Sequence, residues 1–238
     1  GVTADSSGNI YVTGETFGGG FDGNTNIDLS FFLVKYNSSG IKQWTKQLGS
    51  SSFGEGVTTD SSGNIYVTGS TEGGLDGNTN SGEEDIVLIK YNSSGTKQWT
   101  KQLGTSSDDS GNGVTTDSSG NIYVTGYTVG GLDGNTSSGS SDIFLVKYNQ
   151  SGSKQWTKQL GTNSSDGGSG VTTDSSGNIY VTGTTNGGLD GNTNSGEGDI
   201  FLVKYNSSGT KQWTQQLGTP TYEEGNGVAV DSSDNIYV

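Results

Sequence analysis

The chain of 238 residues carries 25 Asp and Glu against 11 Lys and Arg, a formal net charge of −14, and only 26% of it is hydrophobic. Because it has no Cys and no His, disulfides, thiolate metal sites and an imidazole base are excluded. Its acidity disfavours nucleic acids and anionic membranes as partners, and no apolar run is long enough to insert into a membrane as a helix.

A segment that reads Gly-Val-Thr-Thr-Asp-Ser-Ser-Gly-Asn-Ile-Tyr-Val-Thr-Gly recurs along the chain. It begins at Gly56, Gly113 and Gly170, and close variants begin at Gly1 and Gly227, so the period is 55 to 57 residues. Such a period is typical of stacked supersecondary units, which can bury apolar side chains between them. We predict one domain over 1–238 that consists of repeats 1–55, 56–112, 113–169 and 170–226 and a partial repeat 227–238.

Each repeat contains four short runs that are rich in β-branched and aromatic residues and are bounded by Gly, Asn, Asp and Ser. The short connections at 60–64 and 92–95 have the composition of tight hairpin turns. Each repeat therefore predicts a four-stranded antiparallel meander. In the second repeat the predicted strands are 57–59, 65–68, 86–91 and 97–103.

Repeated meanders with apolar residues on both faces predict an all-β fold, a β-propeller of four-stranded antiparallel blades. Four full repeats of about 57 residues and a half repeat indicate five blades, the fifth reduced to its two inner strands, or a fragment of a larger ring. A β-solenoid is the alternative, although its coils are usually shorter and its strands parallel. The incomplete last repeat leaves an open sheet edge, so we expect self-association there.

The connection between the second and third strands carries oxygen-bearing side chains at alternate positions, with a Gly that permits a bend. Such a constellation can wrap Ca²⁺, and in outline it is similar to the calcium loops of integrin-type propellers. The alternative is that Asp, Asn and Gly serve only tight turns. The first repeat, with Asp22, Asn24, Asn26 and Asp28, departs furthest from the pattern. The candidate ligands are Asp76, Asn78, Asn80, Asp85, Asp133, Asn135, Asp142, Asp190, Asn192, Asn194 and Asp199.

Acidic residues concentrate in two connections of each repeat, from the second to the third strand and from the fourth strand to the next repeat. In an up-and-down meander both connections leave the same side of the sheet. We therefore predict a focused negative field on that side, which would suit a protein partner; the alternative is a merely solvated surface. The candidate binding residues are Glu83, Glu84, Asp108, Asp109, Glu223 and Glu224.

One Trp recurs in the fourth strand of every repeat, at Trp44, Trp99, Trp156 and Trp213. One aromatic platform per blade would suit a multivalent carbohydrate-binding lectin. The alternative is packing between blades, which the apolar neighbours of each Trp favour. Aromatic departures from the repeat, such as Phe17, Phe21 and Tyr222, lie near the chain ends and are typical of capping repeats.

An enzyme is not expected. The only chemistry that this composition offers is a pair of carboxylates, and no pair differs from its copies in the other repeats. Near-identical repeats favour several equivalent weak sites over one tuned site. No cofactor other than Ca²⁺ is indicated.

The repeated motifs Asn-Ile-Tyr-Val-Thr-Gly and Asp-Ile-Phe-Leu-Val-Lys-Tyr-Asn, followed by Lys-Gln-Trp-Thr, resemble the bacterial β-propeller repeat called SBBP over essentially the whole chain. The resemblance implies a bacterial interaction module, outside the cell or at its surface, without a shared activity. We therefore predict a non-enzymatic, multivalent binding or scaffold module that contacts a protein or adhesive partner. A multivalent lectin and a spacer in a larger surface protein are the alternatives.

Overall fold

The computed structural model describes residues 1–18, 20–24, 29–49 and 51–238, and it consists of four-stranded antiparallel sheets, here termed blades, and one two-stranded sheet. The first blade contains β1 (Val2–Ala4), β2 (Ile10–Thr16), β3 (Ser30–Tyr36) and β4 (Lys42–Leu48). The second contains β5 (Ser52–Thr59), β6 (Ile65–Thr71), β7 (Asp85–Tyr91) and β8 (Lys97–Leu103). The third contains β9 (Asp109–Thr116), β10 (Ile122–Thr128), β11 (Asp142–Tyr148) and β12 (Lys154–Leu160). The fourth contains β13 (Asp166–Thr173), β14 (Ile179–Thr185), β15 (Asp199–Tyr205) and β16 (Lys211–Leu217), and the two-stranded sheet contains β17 (Ala229–Val230) and β18 (Ile236–Tyr237).

Strand order within each blade follows the chain, from the first strand to the fourth, and neighbouring strands are antiparallel. The predicted all-β fold with meander blades and a two-stranded remainder is therefore confirmed. The long connections contain 3₁₀ turns at Phe21–Gly23, Leu132–Gly134 and Leu189–Gly191.

The first strand of the second blade is longer than its sequence predicts. The prediction places it at 57–59, whereas β5 begins at Ser52. A register shift between Gly54 and Gly56 marks a β-bulge, which breaks the two-residue alternation on which strand prediction depends. Beyond the bulge, Ser52 still pairs with Thr71.

The chain divides into two compact units, Gly1–Val114 and Thr115–Val238, and the predicted single domain stays a prediction. Each unit has its own core, in which side chains of two consecutive blades bury one another. The core of the first unit contains Tyr11, Phe31, Leu33, Val57, Ile65, Val67, Leu75, Val87, Ile89 and Tyr91. The core of the second unit contains Tyr123, Ile143, Leu145, Val171, Ile179, Val181, Leu189, Phe201, Val203 and Tyr205.

The hairpin between the first and second strands is closed by one aspartate. Asp60 Oδ1 accepts hydrogen bonds from the backbone N–H groups of Ser62 and Asn64, at 2.9 Å each. Its Oδ2 accepts from Asn64 Nδ2 at 2.8 Å and from the Tyr66 hydroxyl at 2.9 Å. The same network is formed by Asp5, Asp117, Asp174 and Asp231.

Candidate functional site

The candidate site lies where each blade carries its long connections, here termed the long-loop side. In the second blade these connections are 72–84, between β6 and β7, and 104–108, which follows β8. Because strands alternate in direction, both connections leave the same end of the blade, opposite the Asp60 hairpin. The sequence prediction of a shared side therefore agrees with the strand order.

Asp76 and its copies turn away from this side and pack onto the fourth strand. Asp76 has a left-handed backbone conformation, with φ at 54°, which Asp tolerates better than most residues. Its carboxylate pairs with the ammonium of Lys97 and accepts a hydrogen bond from the Thr100 hydroxyl. The same ion pairs join Asp22 to Lys42, Asp133 to Lys154 and Asp190 to Lys211.

Two of these ion pairs lower the pKa of their carboxyl group. The hydrogen bond from Lys42, together with one from Thr45, holds the pKa of Asp22 below its ordinary value. Burial raises the pKa of Asp76, but hydrogen bonds from Lys97 and Thr100 outweigh it, and the net pKa is lowered. These two carboxylates therefore stay ionised near neutral pH, and the lysine partner balances the charge of each.

Asp85, at the start of β7, belongs to a separate network. It is fully buried, and its Oδ2 accepts hydrogen bonds from the Ser81 backbone N–H and from Gln102 Nε2, at 2.9 Å each. Within the part of the chain that the structure describes, its Oδ1 has no hydrogen-bond partner. That oxygen lies against Gly104, where an added Cβ would be 2.0 Å away. Asp142 and Asp199 repeat the arrangement.

The candidate metal ligands thus fall into two groups. Gln102 Nε2 brings Asn80 and Asp85 together, since it also donates to Asn80 Oδ1 at 3.2 Å. Asn78 instead donates to the Leu75 carbonyl at 2.7 Å, as Asn135 and Asn192 do to their own loops. Asn194 Nδ2 donates to the Gly196 carbonyl at 2.6 Å. Over residues 1–18, 20–24, 29–49 and 51–238, no group of three or more acidic side chains is placed to hold a metal ion. Asn26 and Asp28 lie outside the described residues.

Gln102 was not among the residues predicted from the sequence, although its side chain holds the 72–84 loop in place. Besides its contacts with Asn80 and Asp85, its Oε1 accepts a hydrogen bond from the Leu75 backbone N–H at 3.1 Å. Its copies Gln159 and Gln216 do the same for Leu132 and Leu189. The available signal was the Gln that recurs at one position of every fourth strand.

The predicted acidic surface is smaller than the sequence indicates. Asp109 is fully buried and accepts a hydrogen bond from the Thr105 backbone N–H, so it does not present a charge at the surface. Asp85, Asp142, Asp166 and Asp199 are buried in the same way. Sequence reasoning missed this because connecting loops are usually exposed, whereas these residues lie at the starts of strands.

The remaining acids cluster where two long connections meet in the second and the fourth blades, whereas the third blade carries Ser at these positions. The Asp109 backbone N–H donates to the Glu84 carbonyl at 2.9 Å, which places Asp108 beside Glu83 and Glu84. In the second unit the Glu223 backbone N–H donates to the Gly198 carbonyl at 2.8 Å, next to Glu197. Glu83, Glu197 and Glu224 are exposed, whereas Glu84, Asp108 and Glu223 are half-buried.

Trp44 and Trp156 each lie between two blades of the same compact unit. Trp44 is half-buried, its ring is 6.2 Å from that of Tyr11, and an added Cβ at Gly95 of the next blade would be 3.0 Å from it. Trp156 has the same relation to Gly209. Trp99 and Trp213 are half-buried and lie 6.1 and 6.2 Å from Tyr66 and Tyr180.

A polar cleft of about 240 Å³ opens between the hairpins of the first and second blades. Lys35 spans it, and its Nζ donates to the Ser93 carbonyl at 3.3 Å. The cleft is therefore lined almost entirely by hydroxyl, amide and charged groups. Its lining residues are Asp5, Ser6, Ser7, Asn9, Lys35, Ser61, Ser62, Gly63 and Ser93.

Comparison with known proteins gives one family. A family model described as SBBP, Beta-propeller repeat, matches residues 1–22, 43–76, 98–133, 155–190 and 212–238. The chain is 27% identical over 199 residues to Regulatory protein FlaEY of Caulobacter vibrioides, which covers 75% of this chain and 21% of that protein. It is 29% identical over 181 residues to the uncharacterized WD repeat-containing protein L264 of Acanthamoeba polyphaga mimivirus, which covers 59% of this chain and 13% of that protein. The chain thus spans about a fifth or less of these curated relatives.

Among solved structures, a luciferin-regenerating enzyme aligns with 96% of this chain and 78% of its own, with a TM-score of 0.47 and 13% identity. A protein of unknown function from Bacteroides caccae aligns with 91% of this chain and 80% of its own, with a TM-score of 0.35 and 11% identity. Both TM-scores are below 0.5, so neither structure informs the function. Among the described residues, no helix is long and apolar enough to cross a membrane.

Proposed function

The chain belongs to the SBBP family of β-propeller repeat proteins, and from this membership we propose that it is a non-enzymatic, multivalent scaffold that binds a protein partner through its long-loop side. The two acidic clusters carry the proposal. Glu83, Glu84 and Asp108 form one of them in the second blade, and Glu197, Glu223 and Glu224 form the other in the fourth blade. Repeated clusters would give a partner with repeated basic sites an avidity that a single cluster lacks.

The charge arrangement supports this surface over the rest of the blade. The aspartates that face the fourth strand, such as Asp76, are neutralised by a lysine. The acids of the clusters have no lysine partner among the described residues. An uncompensated negative cluster attracts cationic side chains and speeds their encounter with the surface.

The experiment is a titration with an oligolysine peptide at low and high salt. We expect saturable binding that weakens with salt, and about tenfold weaker binding by the triple variant Glu83→Gln, Glu84→Gln, Asp108→Asn. The matched control is Asp234→Asn, which removes an exposed charge from the opposite hairpin side and leaves binding unchanged. If only net charge mattered, Asp234→Asn, which removes one charge where the triple variant removes three, would lose about a third of the binding free energy that the triple variant loses. That result would overturn the proposal.

The proposal extends to weak Ca²⁺ binding in the long loops and to a location outside the bacterial cell or at its surface. Since Asp76 already has Lys97 as its cation, the ligands would be Asp85 and Asn80 with their copies. The location is supported by the resemblance to bacterial repeats alone.

A second candidate function is carbohydrate binding in the cleft between hairpins. Its hydroxyl and amide lining and its volume of about 240 Å³ support a small saccharide. The recurrence of the hairpin sequence would give one such shallow site for each pair of blades. A glycan-array screen tests it. Saturable hits that are lost in Ser62→Tyr, which fills the cleft, would support the lectin function, and a blank array would remove it.

A further inference from the structure

One position on the long-loop side carries a different kind of residue in every blade. It follows the last Thr of the second strand, and its occupants, here termed the tip residues, are Phe17, Glu72, Val129 and Asn186. The hairpin segment Asp-Ser-Ser-Gly-Asn, at the opposite end of the blade, is identical in all four. An aromatic, an acidic, an aliphatic and an amide side chain thus occupy one position of nearly identical repeats.

A buried threonine and a glycine hold the backbone on either side of the tip residue. In the second blade, the Gly73 N–H donates to the Thr71 hydroxyl at 3.3 Å, and that hydroxyl donates to the Gly73 carbonyl at 3.2 Å. The same contacts join Thr128 to Gly130 and Thr185 to Gly187. All three threonines are 0–1% exposed. The turn is therefore built without the tip side chain, which is free to vary.

The tip side chains are exposed in all four blades. Phe17 is 74% exposed and Val129 is 38% exposed, and Glu72 and Asn186 are exposed as well. Three of the four tips belong to blades that follow another blade in the chain. The exposure is therefore a property of this position in the blade and does not come from the beginning of the sequence.

The two tips of the first unit lie on either side of the beginning of β5. The last residue of β6 pairs with the first residue of β5, and the Glu72 backbone N–H donates to the Ser51 carbonyl at 2.9 Å. On the other side, an added Cβ at Gly54 in β5 would be 2.6 Å from Thr13 Oγ1 in β2. The ends of β2 and β6 thus bring Phe17 and Glu72 to the same part of the long-loop side.

The second unit repeats this arrangement around β13. The Asn186 backbone N–H donates to the Ser165 carbonyl at 3.0 Å, and an added Cβ at Gly168 in β13 would be 2.4 Å from Thr125 Oγ1 in β10. Val129 and Asn186 therefore lie on either side of the beginning of β13. Each unit thus presents an apolar tip on its leading blade and a polar tip on the blade that follows.

We propose that the tip residues determine which partner the long-loop side binds, and that this partner is a polypeptide segment in which apolar side chains accompany lysine or arginine. The inference rests on the proposed scaffold function and adds a second requirement to the positive charge of the partner. Variable side chains on a rigid frame are the usual means of recognition by loops. The apolar side chains of the partner would cover Phe17 and Val129, and its cations would meet Glu72 and the acidic clusters.

Charge and polarity favour such a partner over a purely basic or a purely apolar one. Glu72 has no lysine partner among the described residues, so its carboxylate attracts a cation. A purely apolar partner would take that carboxylate out of water without a counter-charge, which is unfavourable. A purely basic partner would leave the exposed ring of Phe17 in water, whereas its burial is favourable.

The experiment compares the affinities of the chain for two synthetic peptides by calorimetric titration. One is an oligolysine, and the other has the same number of lysines and carries two phenylalanines as well. We expect the wild-type chain to bind the second peptide at least about tenfold more tightly, and the double variant Phe17→Asn, Val129→Asn to lose that preference while it keeps its affinity for oligolysine. Asn is the residue that the fourth blade carries at this position.

The matched control is Ile41→Thr, which removes a side chain that is 61% exposed in a hairpin at the opposite end of the first blade. Thr occupies the same position in the second and fourth blades, and both affinities should stay as in the wild type. Thermal melts check that the variants fold, since exposed positions tolerate such changes. Equal affinity of the wild-type chain for both peptides, or a preference that the double variant retains, would overturn the tip assignment alone. Failure to bind either peptide would overturn the scaffold function and the assignment with it.

Discussion

A single carboxylate closes each of the five hairpins between first and second strands. Asp60 is 9% exposed and accepts four hydrogen bonds, two on each oxygen. Only a carboxylate can accept on both oxygens, because an amide of the same shape offers a donor at one of them. The Asp of the repeated Asp-Ser-Ser-Gly-Asn segment is therefore a structural residue.

At this position we expect Asp60→Asn to lower the free energy of unfolding by about 2 kcal/mol. The amide leaves Asn64 Nδ2 and the Tyr66 hydroxyl without their shared acceptor, and hydrogen bonds to a charged group are worth about 1.5–3 kcal/mol. Urea denaturation followed by circular dichroism measures the loss. Asp234→Asn, in an exposed hairpin at φ 61°, which Asn also tolerates, should stay within about 0.5 kcal/mol of wild type. Equal stability of the two variants would contradict this role.

The sequence alone does not distinguish the acids that could bind a ligand from those that stabilise the fold. Asp76 and Asp85 have the same residue type within one loop, but only a left-handed backbone at Asp76 brings it to Lys97. The burial of Asp85 depends on Gly104, nineteen positions later, which offers no side chain against it. Both outcomes depend on cross-strand neighbours, which period and composition do not reveal.

At the level of the strands, Gly69 in β6 has no room for a side chain. Gly69 in β6 lies so close to β5 that an added Cβ would be 1.8 Å from the Phe53 carbonyl oxygen. The bulge between Gly54 and Gly56 produces this approach. Gly183 has the same relation to Gly167 in the fourth blade, at 2.0 Å.

Gly69→Ala should therefore lower the free energy of unfolding by about 3 kcal/mol or more, since the backbone must move to admit the methyl group. Gly73→Ala is the matched control, because no atom lies within 4 Å of an added Cβ there, and we expect a change within about 0.5 kcal/mol. Chemical denaturation compares the two. A mild effect of Gly69→Ala would mean that the bulge relaxes freely.

For the long loops we expect Ca²⁺ to raise the melting temperature of chelator-treated protein while Mg²⁺ does not. A ligand at ten times its dissociation constant adds about 1.4 kcal/mol to the free energy of unfolding. Asp85→Asn should reduce the shift, whereas Asp76→Asn should preserve it, because Asp76 already has Lys97 as its cation. An unchanged melting temperature at millimolar Ca²⁺ would leave the loops as turns.

Strand number, strand order and both hairpins of a blade could be predicted from the sequence, because β-branched runs and turn residues alternate with a fixed period. The early part of β5 could not, since Ser52–Gly54 precedes a bulge that interrupts the alternation. The path of the long loop along β8 also escaped prediction. It depends on the contacts of Gln102 and Lys97 with the loop, which the strand pattern alone does not reveal.

At the scale of the whole molecule, the hairpin aspartates Asp5, Asp174 and Asp231 make the stability of the fold depend on pH. Hydrogen bonds from the side chain and backbone of Asn235 lower the pKa of Asp231 from 3.8 to about 2. Burial raises the pKa of Asp174, but hydrogen bonds from Asn178, Tyr180 and Ser176 outweigh it and lower the net pKa, and Asp5 behaves alike.

Because these pKa values are lowered in the folded state, the unfolded chain binds more protons in acid. The stabilisation is complete above the ordinary value of 3.8 and is lost as pH falls toward about 2. We expect the melting temperature to fall over that window. Added salt should leave most of the fall in place, because it screens the exposed Lys–Asp pairs more than the hairpin hydrogen bonds. A flat profile would contradict the assignment.

The Asp60 hairpin also bears on how such a chain avoids misassembly. Nearly identical strands 57 residues apart could exchange places between blades, as swapped elements do in other repeat proteins. The link from Asp60 to Tyr66 spans only six residues, and short loops close in about 10–100 ns, far sooner than distant segments meet. We therefore expect each second strand to pair with its own first strand before a copy from another repeat reaches it. The same carboxylate that stabilises the finished hairpin would then favour strand pairing within a repeat over pairing between repeats.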